Sequence, residues 1–475
     1  MIAINLLLVG FLISIFGMEL YGVFAILMLF NLNGAFSIFD FGLEGAVHYF
    51  IAASNSHAKE LSIMFYAIIL YFTIGLSIIF ILYILTSQII GLIDTDLLTK
   101  VELLNLYYYV LGGLSVQFLT MPITATLEGK RLFYITKTIN IFISILQILL
   151  ILIIVPSSPE LLLVVKILLL SFVAKYMLLL IFLKRHFKES SVNDFFFDFS
   201  LLKEIIKYSG VLFISRIIGF IYNQTDKLLI LIFLTPVSMA IYDIVTKPIM
   251  PIRIIIQIFN SSITPEVASR YIENDFDYIS NLFDDFLRYM YILIIPIFFA
   301  LLFSIESILK VWLNQEVSIY FEISYFVLAY FFILPIPALA TTILTGMKKV
   351  SLTIKISMIA AILNLGLSIY LIQEYELRGI LFATVFAELL TILPIINRFN
   401  YALNRRHNIF KPLIQTLLVN TPLVLFLVVI FSLVKNNYLL IFLSMLACFL
   451  QYLFSAKLLL SKKEKLFILS KVSGG

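Results

Sequence analysis

The chain has 475 residues, 62% of them hydrophobic and only 13% charged, with a net charge of +5 and a mean hydropathy of +1.08. Soluble domains carry roughly 45–50% apolar and about 25% charged residues, so this composition excludes a soluble enzyme or binding module and describes a polytopic membrane protein. The single cysteine, Cys448, excludes an internal disulfide and a thiolate metal site.

A crossing takes about 20 apolar residues. Cutting the chain at its polar interruptions predicts an all-α integral membrane protein of about fourteen transmembrane helices, at 1–17, 21–52, 61–85, 103–127, 133–155, 160–183, 203–234, 238–262, 283–305, 319–346, 351–373, 377–397, 413–434 and 437–458. Met1 to Ile15 lacks the basic start and the small-residue cleavage site of a signal peptide, and reads as a retained helix. That first span is short for a crossing, as if the helix were tilted and partial or began further upstream.

The connections on one side hold about twenty Lys and Arg: at Lys59, Lys130 and Arg131, 184–207, Arg270, Lys348 and Lys349, 398–411, and the tail from Lys457. The other side holds four, Lys100, Lys310, Arg378 and Lys435. By the positive-inside rule both termini are expected in the cytoplasm. The basic tail "SKKEKLFILSK" reads as a topology anchor beside an anionic leaflet.

Two segments about 220 residues apart echo each other: "LEGKRLFYITKTINI" from Leu127 and "LTGMKKVSLTIKISM" from Leu344. Each closes one span with a glycine, Gly129 or Gly346, adds a basic pair, and places Lys137 or Lys355 in the next span. The two copies lie on the same side, which predicts a parallel repeat of two six-helix bundles around a central cavity. The expected division is 1–185 for the first bundle, 186–202 for a cytoplasmic linker, 203–400 for the second bundle, and 401–475 for an added helix pair and the tail.

Nine basic residues fall inside spans: Lys137, Lys166, Lys175, Arg216, Lys227, Lys247, Arg253, Arg288 and Lys355. At about 3 kcal/mol each for a central position, full lipid exposure would cost on the order of 25 kcal/mol. Arg288 and Lys166 lie close enough to span ends to snorkel. Asp243 with Lys247, and Asp226 with Lys227, read as local pairs.

Arg216, Lys247, Arg253, Lys137 and Lys355 are deep and spread over several helices. "TKPIMPIRIII" adds Pro248 and Pro251, which break the eighth span and free backbone groups that only a polar cavity tolerates. A basic cavity suits an anionic ligand, and arginine matches phosphate with its planar fork of donors. These five residues are therefore the expected contacts of an anionic ligand, Arg216, Lys247 and Arg253 first and Lys137 and Lys355 second, and of a diphosphate on the resemblance given below.

"FSIFDFGLEGAVHY" carries Asp40, Glu44 and His48 four apart, along one side of a helix if the second span is continuous. Asp40 would then lie roughly 15 Å from the cytoplasmic end. It reads as a counter-ion or a coupling group, together with Glu44 and Asp226, and His48 as an interfacial residue. Gly42 and Gly45 permit a bend or a close helix approach.

No phosphate-binding G-x-x-x-x-G-K-[ST] loop, His-x-x-x-His spacing or serine elbow occurs, and no external connection exceeds about 17 residues. The chain is thus expected to be neither an ATPase nor another enzyme, and to need no metal or cofactor.

"ELYGVF" with "FSIFDFGLEGAVHYF", then "YSGVLFISRIIGFIYNQTDKLLILIFL", "IYDIVTKP" and "ITPEVASRY", resemble the polysaccharide flippases of the Wzx or O-antigen transporter type, in the multidrug/oligosaccharidyl-lipid/polysaccharide exporter superfamily. The similarity spans about residues 15 to 400. It implies a carrier of an undecaprenyl-diphosphate-linked oligosaccharide across a bacterial cytoplasmic membrane, with membrane lipid, a polysaccharide polymerase and glycosyltransferases as partners and no nucleic acid. A potential negative inside favours outward movement of a diphosphate by about 2.3 kcal/mol per charge per 100 mV. The alternatives are a cation-coupled drug antiporter of the same superfamily and a membrane glycan polymerase or glycosyltransferase.

Overall fold

Polar residues at the predicted interruptions start the long helices. Thr99 and Glu102 form a reciprocal capping box, Ser56 accepts the Lys59 amide at 3.3 Å, and the Asp198 carboxylate accepts those of Ser200 and Leu201. The computed structural model describes residues 2–32, 34–54, 56–186, 198–313, 321–349 and 351–459. Most of the expected linker at 186–202 and nearly all of the basic tail lie outside the described residues.

Among the described residues the fold is helical, without strands. The helices are α1 (Ile2–Leu27), α2 (Leu43–Ala52), α3 (His57–Ile84), α4 (Thr86–Gly91), α5 (Lys100–Gly129), α6 (Phe133–Ile154), α7 (Leu161–His186), α8 (Phe199–Phe233) and α9 (Pro236–Thr246). They continue with α10 (Met250–Ile272), α11 (Phe276–Leu313), α12 (Phe321–Ile333), α13 (Pro335–Gly346), α14 (Ser351–Leu403), α15 (Phe410–Val419), α16 (Thr421–Leu433) and α17 (Asn437–Leu459).

Nine helical stretches among the described residues are long and apolar enough to cross a membrane, or eleven when two bent pairs are each counted as a span. Two of these stretches each cover two expected spans, because a backbone break divides them, at Gly17 (φ 77°) in α1 and at Glu376 (φ 49°) in α14. The remaining expected span is α9 with α10, interrupted by a 3₁₀ turn at Lys247–Ile249 where Pro248 stands. The proline break in the eighth span is therefore present.

The second span departs from expectation. It is not one helix over 21–52: after α1 come 3₁₀ turns at Met28–Phe30 and Ala35–Asp40, then Phe41 (φ 51°) and Gly42 (φ 76°) in the left-handed region, then α2. Asp40 is thus not in register with Glu44 and His48 on a continuous helix face. The segment carries Asn31, Gly34, Asp40 and Gly42 but no polar stretch long enough to end an apolar run, so run length alone does not reveal the interruption.

Contacts group the chain into two compact units, Met1–Ile241 and Tyr242–Gly475. α8 counts with the first unit, tied to it at Phe41, Asp40 and Glu44, whereas the sequence places the bundle boundary before it. The repeated segments have matching local geometry in their own units. In the first, Leu132 N–H reaches the Leu127 carbonyl at 3.0 Å with Arg131 at φ 62°; in the second, Lys349 N–H reaches the Leu344 carbonyl at 2.8 Å with Lys348 at φ 57°. Both are left-handed helix terminations that satisfy the last carbonyls.

The repeated glycines also do the same work. A Cβ at Gly129 would stand 2.9 Å from Ile51 of α2, and one at Gly346 would stand 2.8 Å from Val267 of α10. Each glycine lets a helix end press against the helix that follows a broken span.

In the second unit α15, α16 and α17 pack on α11. Tyr452 donates to the Leu293 carbonyl at 2.8 Å. The connection before α15 is held by His407, whose Nδ1–H donates to Asn400 Oδ1 at 2.8 Å while Nε2 accepts from the Ser280 hydroxyl at 2.8 Å. The rings of Phe283 and Phe399 enclose the imidazole.

Burial first, and the nearby Arg405 charge second, push His407 down to about 4. The group is lowered in the folded state, so its contribution is complete above the unfolded value of about 6.5 and is lost as pH falls from there toward 4, on the order of 3 kcal/mol in all. The thermal midpoint of the purified protein should therefore drop between pH 6.5 and 4. His407→Gln should be less stable at pH 7 and lose most of that acid dependence; an unaltered profile in the variant would contradict this assignment.

Candidate functional site

The broken second span creates the site in the first unit. Phe41 and Gly42 leave the helical conformation, which frees a backbone carbonyl and starts α2 anew inside an apolar stretch. Both demands are met locally. Ser209 of α8 donates to the Phe41 carbonyl at 2.6 Å, and Asp40 Oδ1 accepts the Glu44 amide at 3.1 Å, so the carboxylate serves the first turn of α2.

α8 reaches the break because two glycines admit it. A Cβ on Gly42 would stand 2.6 Å from the Ser209 carbonyl oxygen and 2.9 Å from the Phe213 nitrogen, and one on Gly45 would meet only the tip of Leu212 at 2.8 Å. The close approach sets Arg216 beside the carboxylates. Its Nη1 lies 3.1 Å from Asp40 Oδ2 and its Nη2 lies 3.0 Å from Glu44 Oε2.

Asp40 is fully buried, and Tyr71 of α3 donates its hydroxyl to Oδ1. Oδ2 makes no aligned hydrogen bond among the described residues and is held by the guanidinium charge alone. A fully buried carboxylate in hydrocarbon needs such a partner, since its desolvation costs several kcal/mol. The Glu44 and Arg216 side chains are about 30% exposed, so their side of the cluster is open.

A second group of charges adjoins the first. Glu128, buried at the end of α5, accepts from the Thr136 hydroxyl at 2.7 Å, and lies 3.1 Å from Lys137 Nζ and 3.8 Å from His48 Nε2. Lys175 of α7 is within electrostatic reach of Lys137, Glu128 and Glu44. Three carboxylates and three cations thus balance along a path from Asp40 to Lys137.

Glu44, His48 and Glu128 offer ligand atoms within 4.8 Å of one another. This is the donor set here that suits a cation. Arg216 and Lys137 already stand on its two carboxylates.

The expected residues are thus distributed over both units. The first unit brings together Asp40, Glu44 and Arg216, and places Lys137 on Glu128; Asp226 is buried on α8. In the second unit Lys247 pairs with Asp243 at 2.7 Å, as its spacing predicts, Arg253 is half-buried on α10, and Lys355 is exposed on α14. Tyr71 and Glu128 were not anticipated. Glu128 lies one residue past the predicted span at 103–127, so a tally of residues inside spans does not reach it, and its burial comes from the packing of α5 against its neighbours.

Comparison with protein families matches a model described as a polysaccharide biosynthesis protein over residues 3–271. Among solved structures the chain is similar to "Lipid II flippase MurJ, inward closed conformation", with 17% identity, a TM-score of 0.72, and coverage of 95% of this chain and 96% of that one. It is also similar to an inward-facing multidrug resistance MATE family transporter of the MOP superfamily (14% identity, TM-score 0.68, 85% and 96% covered). A third is the Vibrio cholerae MATE transporter VcmN in its bent form (12% identity, TM-score 0.55, 84% and 92% covered). Comparison with curated protein sequences found no match. At these identities the structural likeness establishes the fold.

The asymmetry between Gly42 and Gly45 is testable. Gly42→Ala combines a left-handed φ with a backbone collision, and should cost at least about 2 kcal/mol of stability. Gly45→Ala, which displaces only a leucine tip, should cost less than about 1 kcal/mol. Thermal unfolding of the two variants in detergent should separate them clearly; equal losses would mean that α8 does not press on the break.

Proposed function

The chain belongs to the polysaccharide biosynthesis protein family, and from that premise we propose that it is a flippase. It carries an undecaprenyl-diphosphate-linked oligosaccharide repeat unit from the cytoplasmic to the outer leaflet of a bacterial cytoplasmic membrane. It works by alternating access, has both termini in the cytoplasm, and serves O-antigen or capsule assembly. The fold it shares with a lipid II flippase supports a lipid-linked substrate.

The observation that carries this reading is the state of Arg216. Its guanidinium is held inside an apolar helix assembly by one fully buried carboxylate and one partly exposed carboxylate. Asp40 fixes Nη1 from the buried side, and Nη2 faces the open side through Glu44. A diphosphate entering there replaces Glu44 on the guanidinium fork, which favours paired phosphate oxygens. The displaced Glu44 remains near Lys175 and His48, so its charge keeps a partner. Lys137, Lys247, Arg253 and Lys355 are the further cations of the same reading.

One observation favours a second reading, a cation-coupled multidrug antiporter of the same superfamily. Glu44, His48 and Glu128 converge closely enough to bind a cation once Arg216 and Lys137 let go.

The test is leaflet translocation of a fluorescent polyprenyl-diphosphate oligosaccharide in proteoliposomes at a set membrane potential. Protein-dependent movement is expected, falling at least about tenfold in Arg216→Ala, the size of effect when a charge-assisted bond of about 1.5–3 kcal/mol is lost. Absence of movement with a range of sugars and with ion gradients applied would overturn the flippase reading in favour of the antiporter.

A further inference from the structure

Where the end of α5 meets the side of α2, the first unit gathers three groups of the kind that ligate metals. Glu44 and His48 are four residues apart on α2, so both lie on one face of the restarted helix. Glu128 stands beside Gly129 at the end of α5, and that glycine brings the two helices together: a Cβ there would stand 2.9 Å from Ile51 and 3.3 Å from the His48 Cα. One ligand atom from each of Glu44, His48 and Glu128 lies within 4.8 Å of the other two.

The imidazole is the informative member. His48 Nε2 is closed off from solvent and makes no hydrogen bond among the described residues, although Glu128 Oε2 is only 3.8 Å away. A buried ring nitrogen left in that state costs stability until something engages it. Glu128 spends Oε1 on the Thr136 hydroxyl and Lys137, which leaves Oε2 toward His48, and Glu44 spends Oε2 on Arg216.

Two carboxylates and one neutral imidazole make a donor set for an ion such as Mn²⁺ or Zn²⁺. At bond lengths of about 2.0–2.2 Å the ligand atoms of such an ion stand roughly 3–3.5 Å apart, so a contraction of about 1 Å closes the present set. Glu44 is partly exposed and Lys137 is exposed, so both can move while Glu128 stays buried. Three protein donors leave coordination positions open, the condition under which a bound metal also takes phosphate oxygens.

We propose that Glu44, His48 and Glu128 bind a divalent metal ion, and that this ion joins the diphosphate of the cargo to the cluster. The diphosphate takes Arg216 Nη2, the released Glu44 turns to the metal, and Lys137 swings from Glu128 into water. Asp40, Glu44 and Glu128 balance Arg216, Lys137 and Lys175 as they stand. A diphosphate diester adds about two negative charges, which a dry interior opposes and a divalent ion cancels. The metal half of the proposal stands on the donor geometry, and the cargo half rests on the flippase reading above.

Electron spin resonance with Mn²⁺ on the purified full chain tests the site. The bound Mn²⁺ should show spin-echo modulation from one imidazole nitrogen. His48→Gln should unfold near the wild-type temperature without metal, lack the nitrogen modulation, and bind Mn²⁺ at least about tenfold more weakly, a lost ligand costing no less than the loss of a group that merely supports one. Added inorganic diphosphate should bring phosphorus coupling to the same nitrogen-coupled centre. In proteoliposomes, chelating divalent metal should slow translocation of the polyprenyl-diphosphate oligosaccharide at least about tenfold, the loss expected for a charge-assisted contact, and Mn²⁺ should restore it.

No nitrogen modulation with or without diphosphate, or modulation that survives in His48→Gln, would overturn the metal site. Nitrogen without phosphorus coupling, or translocation indifferent to chelation, would overturn the link to the cargo and leave the metal site standing. If the wild type moves no lipid with metal present, the flippase reading fails, and the nitrogen modulation still decides whether the three residues bind the ion.

Discussion

The contact between Arg216 and Asp40 is the constraint on which the first unit depends. Asp40 is needed where it is because the second span stops being helical at Phe41 and Gly42, and the restarted helix α2 requires an acceptor for its first amides. A carboxylate supplies that acceptor but cannot stand alone in a dry interior. Arg216 answers its charge, and Arg216 can do so only because Gly42 and Gly45 let α8 lie against the break. Backbone interruption, cap, cation and glycines form one arrangement, and none of the four makes physical sense without the others.

The same arrangement provides the chemistry. A guanidinium divided between one inaccessible and one accessible carboxylate is fixed in place yet open to exchange on one side. Glu128, Lys137, His48 and Lys175 extend the balance of charge from there, so an arriving anion meets cations whose present partners are themselves near other cations. On the proposed flippase reading, that property suits the cluster to a passing anion.

Much of this was legible in the residues. Apolar run lengths predicted the spans, Pro248 predicted a break that the structure contains, and Gly42 and Gly45 marked a close approach. The echo between Leu127 and Leu344 turned out to be a shared helix termination with a shared glycine contact. What the residues concealed were partners distant in the chain: Glu44 and Arg216 are 172 positions apart, and Tyr71 reaches Asp40 from 31 positions away. The four-residue spacing of Asp40, Glu44 and His48 pointed to one helix face, because a pair of left-handed residues alters the backbone without altering hydropathy. Glu128 falls one residue beyond the predicted span at 103–127, and its burial is visible only once the helices are packed.

The most direct measurement is a double-mutant cycle on the stability of Asp40→Asn, Arg216→Gln and the combined variant, followed by thermal unfolding in a fixed detergent. Arg216→Gln alone leaves a buried carboxylate uncompensated and should be the most damaging, about 3–5 kcal/mol. The combined variant should recover at least about 1 kcal/mol of the summed losses, since neither charge is then left without the other. Losses that simply add would show that the two side chains do not depend on each other, and would contradict the account of the broken span.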